Sequence, residues 1–454
     1  MNSTTHRSLL QTAANLAADY LDSLPARGVA PTTAALQGLS RFDRPFPERP
    51  SDPAAVLQEL HTRGSPATIA SAGGRFFGFV VGGSLPAALA ANVLAAAWDQ
   101  DAGMTVLAPG AAAIEAAALR WLLEALQLPA QSGGGFVTGA TMANFTALAA
   151  ARHALLERAG WDVAADGLFG APPLTVVVGD EVHVSVLKAL VLLGLGKARV
   201  LRVPTDAQGR MRADRLPPLD ARTIVCTQAG NVNTGACDPV RDVCRAAHER
   251  RAWVHVDGAF GLWALAAPRR APLVAGVEDA DSWALDAHKW LNVPYDSGVA
   301  LCRDAAALRG AMATAPAAYL VRGVSREPDD YTPELSRRAR GVEIWAALAS
   351  LGRSGLAELV ERCCRHTTRF AQGLAAAGYE VLNEVTLNQV LVRFGDDART
   401  RRVIEGIQAD GTCWCGGTVW HDRAAMRISV SSWATTDDDV ERSLAAMIRV
   451  ARAA

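Results

Sequence analysis

The residues best suited to covalent chemistry lie in Asp286-Ala287-His288-Lys289-Trp290. Lysine is scarce in this chain: Lys188, Lys197 and Lys289 are the only three among 45 basic residues. What lysine offers and arginine does not is an amine that can lose its proton and attack a carbonyl carbon. Lys289 has the setting for it. It follows the apolar run Ser282-Trp283-Ala284-Leu285, sits beside His288, and precedes an irregular stretch from Asn292 to Gly298.

Three other pieces carry complementary chemistry. Gly133-Gly134-Gly135-Phe136-Val137-Thr138-Gly139-Ala140-Thr141 reads as a Gly-rich turn leading into a helix from Ala143. Small residues let the backbone close on an anion, and a helix start offers free N–H groups. Thr141 is placed to cap that helix and to bond a phosphate oxygen. No Gly-Lys-Ser/Thr follows, so this is not a Walker loop. His183 follows a strand pattern and opens another helix, either as a capping or core histidine or as an imidazole lying flat on a cofactor ring. Asp257 ends the apolar strand Trp253–Val256 and is followed by Gly258-Ala259. A buried carboxylate needs a partner to offset its desolvation. A protonated pyridinium nitrogen is one such partner, and the methyl of Ala259 leaves room for a ring face; an N-cap Asp is the plain structural alternative. Taken together, the pieces point to pyridoxal 5'-phosphate held as a Schiff base on Lys289.

The elements that position these residues alternate. Candidate strands at Leu174–Val178, Arg199–Val203, Thr223–Thr227, Trp253–Val256, Ser282–Leu285 and Val299–Cys302 are mostly separated by helical patterns, including Ala143–Arg158, Val184–Leu193 and Val240–Arg250. That alternation predicts an α/β fold with a mostly parallel sheet covered on both faces, and ligands in such sheets collect at the strands' carboxyl ends. The expected division is an N-terminal helical and dimerisation segment (1–100), a large cofactor-binding domain (101–310), a mobile catalytic loop (311–340) and a small C-terminal α+β domain (341–454). Helices at Val342–Leu351 and Leu356–Ala377 and strands at Val390–Phe394 and Met426–Val430 belong to the last. The amphipathic helix over Leu9–Leu21 cannot bury its stripe within its own segment and must pack on the main body or on a second subunit, the second being favoured.

On these motifs the chain resembles the group II pyridoxal-phosphate-dependent decarboxylases, the aromatic amino acid and glutamate decarboxylase superfamily of fold type I. The Val-Asp-Gly-Ala and Asp-Ala-His-Lys-Trp stretches are the specific ones, and the likeness runs from about Phe76 to Met426-Arg427-Ile428-Ser429-Val430-Ser431. The resemblance implies that Lys289 is the Schiff-base lysine and His288 a phosphate contact. It makes Asp257 the pyridinium partner, His183 the stacking histidine, Ala140 and Thr141 the phosphate turn, and Ala259 the residue under the ring. It implies a loop tyrosine that protonates the substrate carbon, matched by Tyr331 with Tyr319 as fallback, and support from one of Arg337, Arg338 and Arg340. Asp286 and Asn231 depart from the family pattern: some relatives carry Asn at the first position, and Thr is common at the second. The implied reaction is decarboxylation of an L-amino acid to its amine. Phe77, Phe79, Trp98 and Trp345 are apolar candidates for the substrate pocket, which disfavours an acidic side chain.

Composition narrows the alternatives. A net charge of −1 removes the electrostatic case for nucleic acid. The eight cysteines are scattered, with no pair at metal-ligand spacing, so neither zinc nor a disulfide framework is expected and a reduced, cytoplasmic setting is. The uncharged run Phe76–Trp98 has the length of a membrane span but is broken by Gly82-Gly83-Ser84 and Pro86. Rival readings are a carbon-carbon lyase or aldehyde-forming enzyme on the same cofactor, a desulfurase, which would need a loop cysteine, and a non-enzymatic protein on a retained fold.

Overall fold

The computed structural model describes residues 3–313 and 326–454. Its centre is a seven-stranded sheet of order β1-β7-β6-β5-β4-β2-β3, formed by β1 (Gly133–Val137), β2 (Thr175–Gly179), β3 (Leu201–Val203), β4 (Thr223–Gln228), β5 (Trp253–Asp257), β6 (Ser282–Asp286) and β7 (Gly298–Cys302). Strands β2 to β6 run parallel, and β7 lies antiparallel between β6 and β1. The residues dictate this. Val176-Val177-Val178 and Ile224-Val225 are β-branched runs without polar alternation, buried on both faces, as strands of a covered parallel sheet must be.

One expectation is corrected. Gly133 to Val137 is not a turn but a fully buried strand, paired from Gly133↔Cys302 to Val137↔Gly298. Its glycines are there for space: a Cβ on Gly134 would lie 2.6 Å from Leu301 Cδ2, and one on Gly135 2.3 Å from the carbonyl oxygen of Tyr331. Local propensity reads such a run as a turn, and tertiary crowding overrides it.

The helices that matter to the site are α1 (Ser3–Ser23), α2 (Pro86–Trp98), α3 (Pro109–Ala125), α4 (Ala140–Arg158), α5 (Val184–Leu192) and α6 (Gly341–Ala376). Helix α4 crosses β5, β6 and β7. The long α6 breaks at Gly352, whose φ of +59° is open to glycine, so the two helical stretches seen in the sequence meet at a kink. A second sheet, antiparallel, has the order β10-β11-β9-β8: β8 (Glu380–Val381), β9 (Gln389–Arg393), β10 (Gly416–Trp420) and β11 (Arg423–Ser429). The uncharged run from Phe76 to Trp98 is a loop followed by α2, and no helix among the described residues is long and apolar enough to cross a membrane.

Buried Arg75 ties the N-terminal segment to the second sheet's domain. Its Nη2 donates to the carbonyls of Pro25 and Arg27 at 2.9 and 3.0 Å, its Nη1 to that of Thr412, and its Nε lies 3.6 Å from Asp439.

Candidate active site

Two carboxylates mark the site, one at the carboxyl end of β5 and one at that of β6. Asp257 is buried, with Oδ1 accepting from the Ala259 N–H at 3.2 Å and Oδ2 accepting from Asn144 Nδ2 at 3.3 Å and Ser185 Oγ at 3.4 Å. All of these donors are neutral, and among the described residues no cationic side chain forms an ion pair with Asp257. His183 is the N-cap of α5, and its Nδ1 accepts from the Ser185 N–H at 3.2 Å. Burial lowers the pKa of His183. The Asp257 charge opposes that, Lys289 and Arg427 add to it, and Asp286 opposes it again. His183 therefore feels every charge of the site.

Asp286 is engaged differently. Its Oδ2 lies 2.9 Å from Lys289 Nζ, and its Oδ1 accepts from the Ala140 N–H at the start of α4 and faces His288 Nε2 at 3.4 Å. The Nδ1 of His288 accepts from the Ser297 N–H at 3.1 Å, which leaves the ring hydrogen on Nε2. Burial depresses this histidine as well, against the pull of Asp286. Tyr295, not singled out from sequence, covers His288 with ring centroids 4.1 Å apart. The N-cap of α4 is Gly139 and makes no side-chain bond, so Thr141 sits inside the first turn and is not the cap. Gly139 leaves a cradle there: a Cβ would lie 3.1 Å from His288 Cε1 and 3.3 Å from Asp286 Oδ1.

The lysine loop is pinned from two sides. The loop before α2 passes so close that a Cβ on Gly82 would lie 1.7 Å from the carbonyl oxygen of Lys289. Asn292, at φ +57°, donates to the carbonyls of Lys289, Trp290 and Ser431 at 3.2, 2.8 and 2.9 Å and accepts from the Trp433 N–H at 2.7 Å.

Arg427 of β11 is a residue the sequence reading passed over. Its Nη1 donates to the carbonyl of Val232 at 3.0 Å, burial lowers its pKa, and no carboxylate among the described residues lies within ion-pair distance. The three arginines expected to support the site are committed elsewhere. Arg337 pairs with Glu115 at 2.8 Å, Arg338 with Glu343, and Arg340 with Asp296 at 3.0 Å. The signal for Arg427 was a lone arginine in the apolar strand Met426-Arg427-Ile428. Asn231, the other departure from the family pattern, accepts from the N–H groups of Asn233 and Thr234 at 2.9 and 3.2 Å and so shapes the loop that carries Val232.

Other expected residues fall away from this cluster. Tyr331 lies under the first residue of β1, with Arg326 4.4 Å from its ring centre and its Cε1 3.4 Å from a Cβ on Gly133. That is the opposite end of β1 from Gly139, so within one chain Tyr331 does not meet Lys289. The charged stretch folds back there because Arg326 and Arg337 both pair with buried Glu115. Tyr319 lies outside the described residues. Phe77 is core, packed edge-on to Phe370 at 5.0 Å, and Trp345 stacks on Trp121 at 5.6 Å between α3 and α6. Trp98 is half exposed at the end of α2. Phe79, in the loop that also carries Gly82, is 64 % exposed and stacked on Trp414 at 5.5 Å.

The family model described as the pyridoxal-dependent decarboxylase conserved domain matches residues 37–394. The chain belongs to the pyridoxal-dependent decarboxylase family. It is 28% identical to tryptophan decarboxylase 1 of Oryza sativa subsp. japonica, over 95% of this chain and 91% of that one. It is 29% identical to L-2,4-diaminobutyrate decarboxylase of Rhizobium meliloti (strain 1021), over 80% and 75%. The crystal structure of Oryza sativa TDC with PLP and tryptamine superposes with a TM-score of 0.91 at 26% identity, covering 100% of this chain and 99% of that one. The fold is that of fold type I enzymes, and pyridoxal phosphate is the cofactor. The residues fit it: an uncompensated buried carboxylate for a ring cation, a glycine cradle at a helix start for a phosphate, and a lysine between them. Bound there, the cofactor supplies an electron sink that can be conjugated to the carbon losing carbon dioxide.

Proposed function

We propose that this decarboxylase acts on an aromatic L-amino acid, with Arg427 receiving the α-carboxylate. The observation that carries the second half is a part-buried guanidinium whose charge reaches His183 and whose one hydrogen bond among the described residues goes to a backbone carbonyl, since a partly desolvated cation is stabilised by an anion. With the cofactor bound, Lys289 would be the amine that holds its aldehyde group, Asp257 would hold a proton on the ring nitrogen, and His183 and Ala259 would border the ring. The backbone at Ala140 and Thr141, with His288, meets the phosphate. For the side chain, the loop passing over Lys289 carries Phe79-Val80-Val81, and the whole run Phe76–Trp98 has no charge to meet an acidic or diamino group. Two relatives of similar identity differ in the side chain their names state, so this preference rests on the loop rather than on likeness.

The enzyme is further read as a homodimer. Val93, Leu94, Trp98, Val106 and Leu107 leave large apolar surfaces exposed on α2 and the segment after it, and a second copy would bury them. All eight cysteines are free thiols, which suits a reducing, cytoplasmic setting.

The deciding experiment is carbon dioxide release from L-tryptophan, L-tyrosine, L-phenylalanine, L-glutamate and L-2,4-diaminobutyrate by pyridoxal-phosphate-loaded protein, with Lys289→Ala as control. Release from an aromatic substrate, lost in the control, supports the proposal, and release from glutamate or diaminobutyrate alone overturns its side-chain half.

A further inference from the structure

The carboxylate at the end of β5 is the last member of a buried polar row. Trp253, His255 and Asp257 alternate onto one face of β5, and Ser282 of β6 stands opposite His255. Asn144, one turn into α4, dips between His255 and Asp257. Trp253 Nε1 lies 2.9 Å from Ser282 Oγ, Ser282 Oγ 2.9 Å from His255 Nδ1, His255 Nε2 2.8 Å from Asn144 Oδ1, and Asn144 Nδ2 3.3 Å from Asp257 Oδ2. None of the five side chains is more than 4 % exposed.

The chemistry of the two ends decides how the hydrogens run. An indole N–H can only donate, and an ionised carboxylate can only accept. With Asp257 ionised, Asn144 must turn its NH2 towards it and its carbonyl towards His255. His255 then carries its hydrogen on Nε2, its bare Nδ1 accepts from the Ser282 hydroxyl, and that hydroxyl still accepts from Trp253. Every member is satisfied and every bond points towards Asp257. The second hydrogen of the Asn144 amide meets Ser185 Oγ at 3.2 Å, the same serine that contacts His183. Burial presses His255 down to about 3, so it keeps a single hydrogen across the neutral range.

We propose that Asn144, His255 and Ser282 are positioning residues that form a one-way hydrogen-bond relay, holding Asp257 as a carboxylate and so keeping the proton on the cofactor's ring nitrogen. The relay rests on Asp257 being the ring-nitrogen partner. A protonated Asp257 would let the row reverse, with the Asn144 carbonyl facing the acid. The relay removes that alternative because reversal would require His255, Asn144 and Ser282 to change together, with Trp253 unable to accept.

The test is the nitrogen-15 chemical shift of holoenzyme loaded with ring-labelled pyridoxal phosphate, read beside the dissociation constant of the cofactor and the melting temperature of the apoprotein. In the unmodified enzyme the ring nitrogen is expected at the position of a protonated pyridinium. His255→Leu removes the donor to Asn144. The shift should move towards the unprotonated position, and the dissociation constant should rise about tenfold, as expected for loss of support to a charged acceptor. His255→Gln keeps an N–H for Asn144 and should restore both. Ser282→Ala, a smaller cut, should move the shift the same way should His255→Leu fail to fold. If His255→Leu or Ser282→Ala lowers the melting temperature while shift and dissociation constant stay put, the row is mere packing and the relay is overturned. An unprotonated ring nitrogen in the unmodified enzyme would instead overturn Asp257 as its partner, a different failure.

Discussion

Asp257 and Asp286 close adjacent parallel strands and are both buried, at 4 % and 2 % exposure, yet they do opposite things. Around Asp257 every donor is neutral and directional, so its charge is left over for an incoming cation. Around Asp286 the partners are an ammonium, an imidazole and the positive end of a helix, so its charge is spent inside the protein. Two carboxylates at equivalent strand ends thus acquire different tasks from whether their neighbours carry charge. The first is proposed as the socket for a ring nitrogen. The second is a counter-charge at the helix start proposed to receive the phosphate.

Substitutions can break this contrast, and the largest effect is expected at the socket. Asp257→Asn should lower the turnover number for carbon dioxide release about a thousandfold at equal cofactor content, because it removes one partner of a buried ion pair. Next comes Arg427→Met, which should raise KM for the amino acid by roughly ten- to a hundredfold, the worth of a charge-assisted hydrogen bond. Inhibition by the product amine, which has no carboxylate, should be unchanged, and a parallel loss of amine affinity would remove Arg427 from that role. A third effect is on stability. His255 binds its proton near pH 6.5 when unfolded and near 3 when folded, so between those values the unfolded chain holds the extra proton. Stability is whole above that window and falls as pH falls, by about 1.4 kcal/mol per pH unit from this group alone. Denaturation of His255→Gln across the window should show a shallower slope by that amount. The smallest effect is expected at Asp286→Asn. Losing one charge beside the phosphate cradle while also losing the Lys289 pair should raise the preference for pyridoxal phosphate over pyridoxal by about threefold. A drop in that preference would mean Asp286 organises the cradle rather than competing with it.

Much of this was legible from sequence because the site residues sit where strands end. Trp253–Val256 before Asp257 and Ser282–Leu285 before Asp286 are apolar runs of strand length, and the structure extends each by one residue to the carboxylate. The Gly-rich strand was misread because its glycines answer to Leu301 and Tyr331, contacts that no local pattern contains. Strand β10 escaped for a related reason: Gly416-Gly417 is a poor strand former, and only pairing with β11 makes it one. Arg427, Asn144 and His255 lie in separate elements and converge only through the fold. Arg427 left a trace as a lone arginine in an apolar strand and Asn144 as a polar residue in an Ala-rich helix, but neither pattern says what the side chain meets. The placement of Tyr331 away from Lys289 within one chain was not legible, because it depends on buried Glu115 anchoring that stretch through two arginines.

The asparagine beneath the lysine loop has a geometric consequence. Asn292 bonds Lys289 and Trp290 on one side and Ser431 and Trp433 on the other, and Ser431 stands four residues beyond Arg427 on the same stretch of chain. The amine that meets a substrate's nitrogen and the guanidinium proposed to meet its carboxylate are thus set on the two jaws of a caliper whose span is locked by one side chain. Such a gauge measures the part that all α-amino acids share and is blind to what lies beyond the α-carbon. Discrimination among side chains is then left, on the proposed reading, to Phe79-Val80-Val81 of the loop above, which can vary as long as Gly82 keeps its close approach to Lys289.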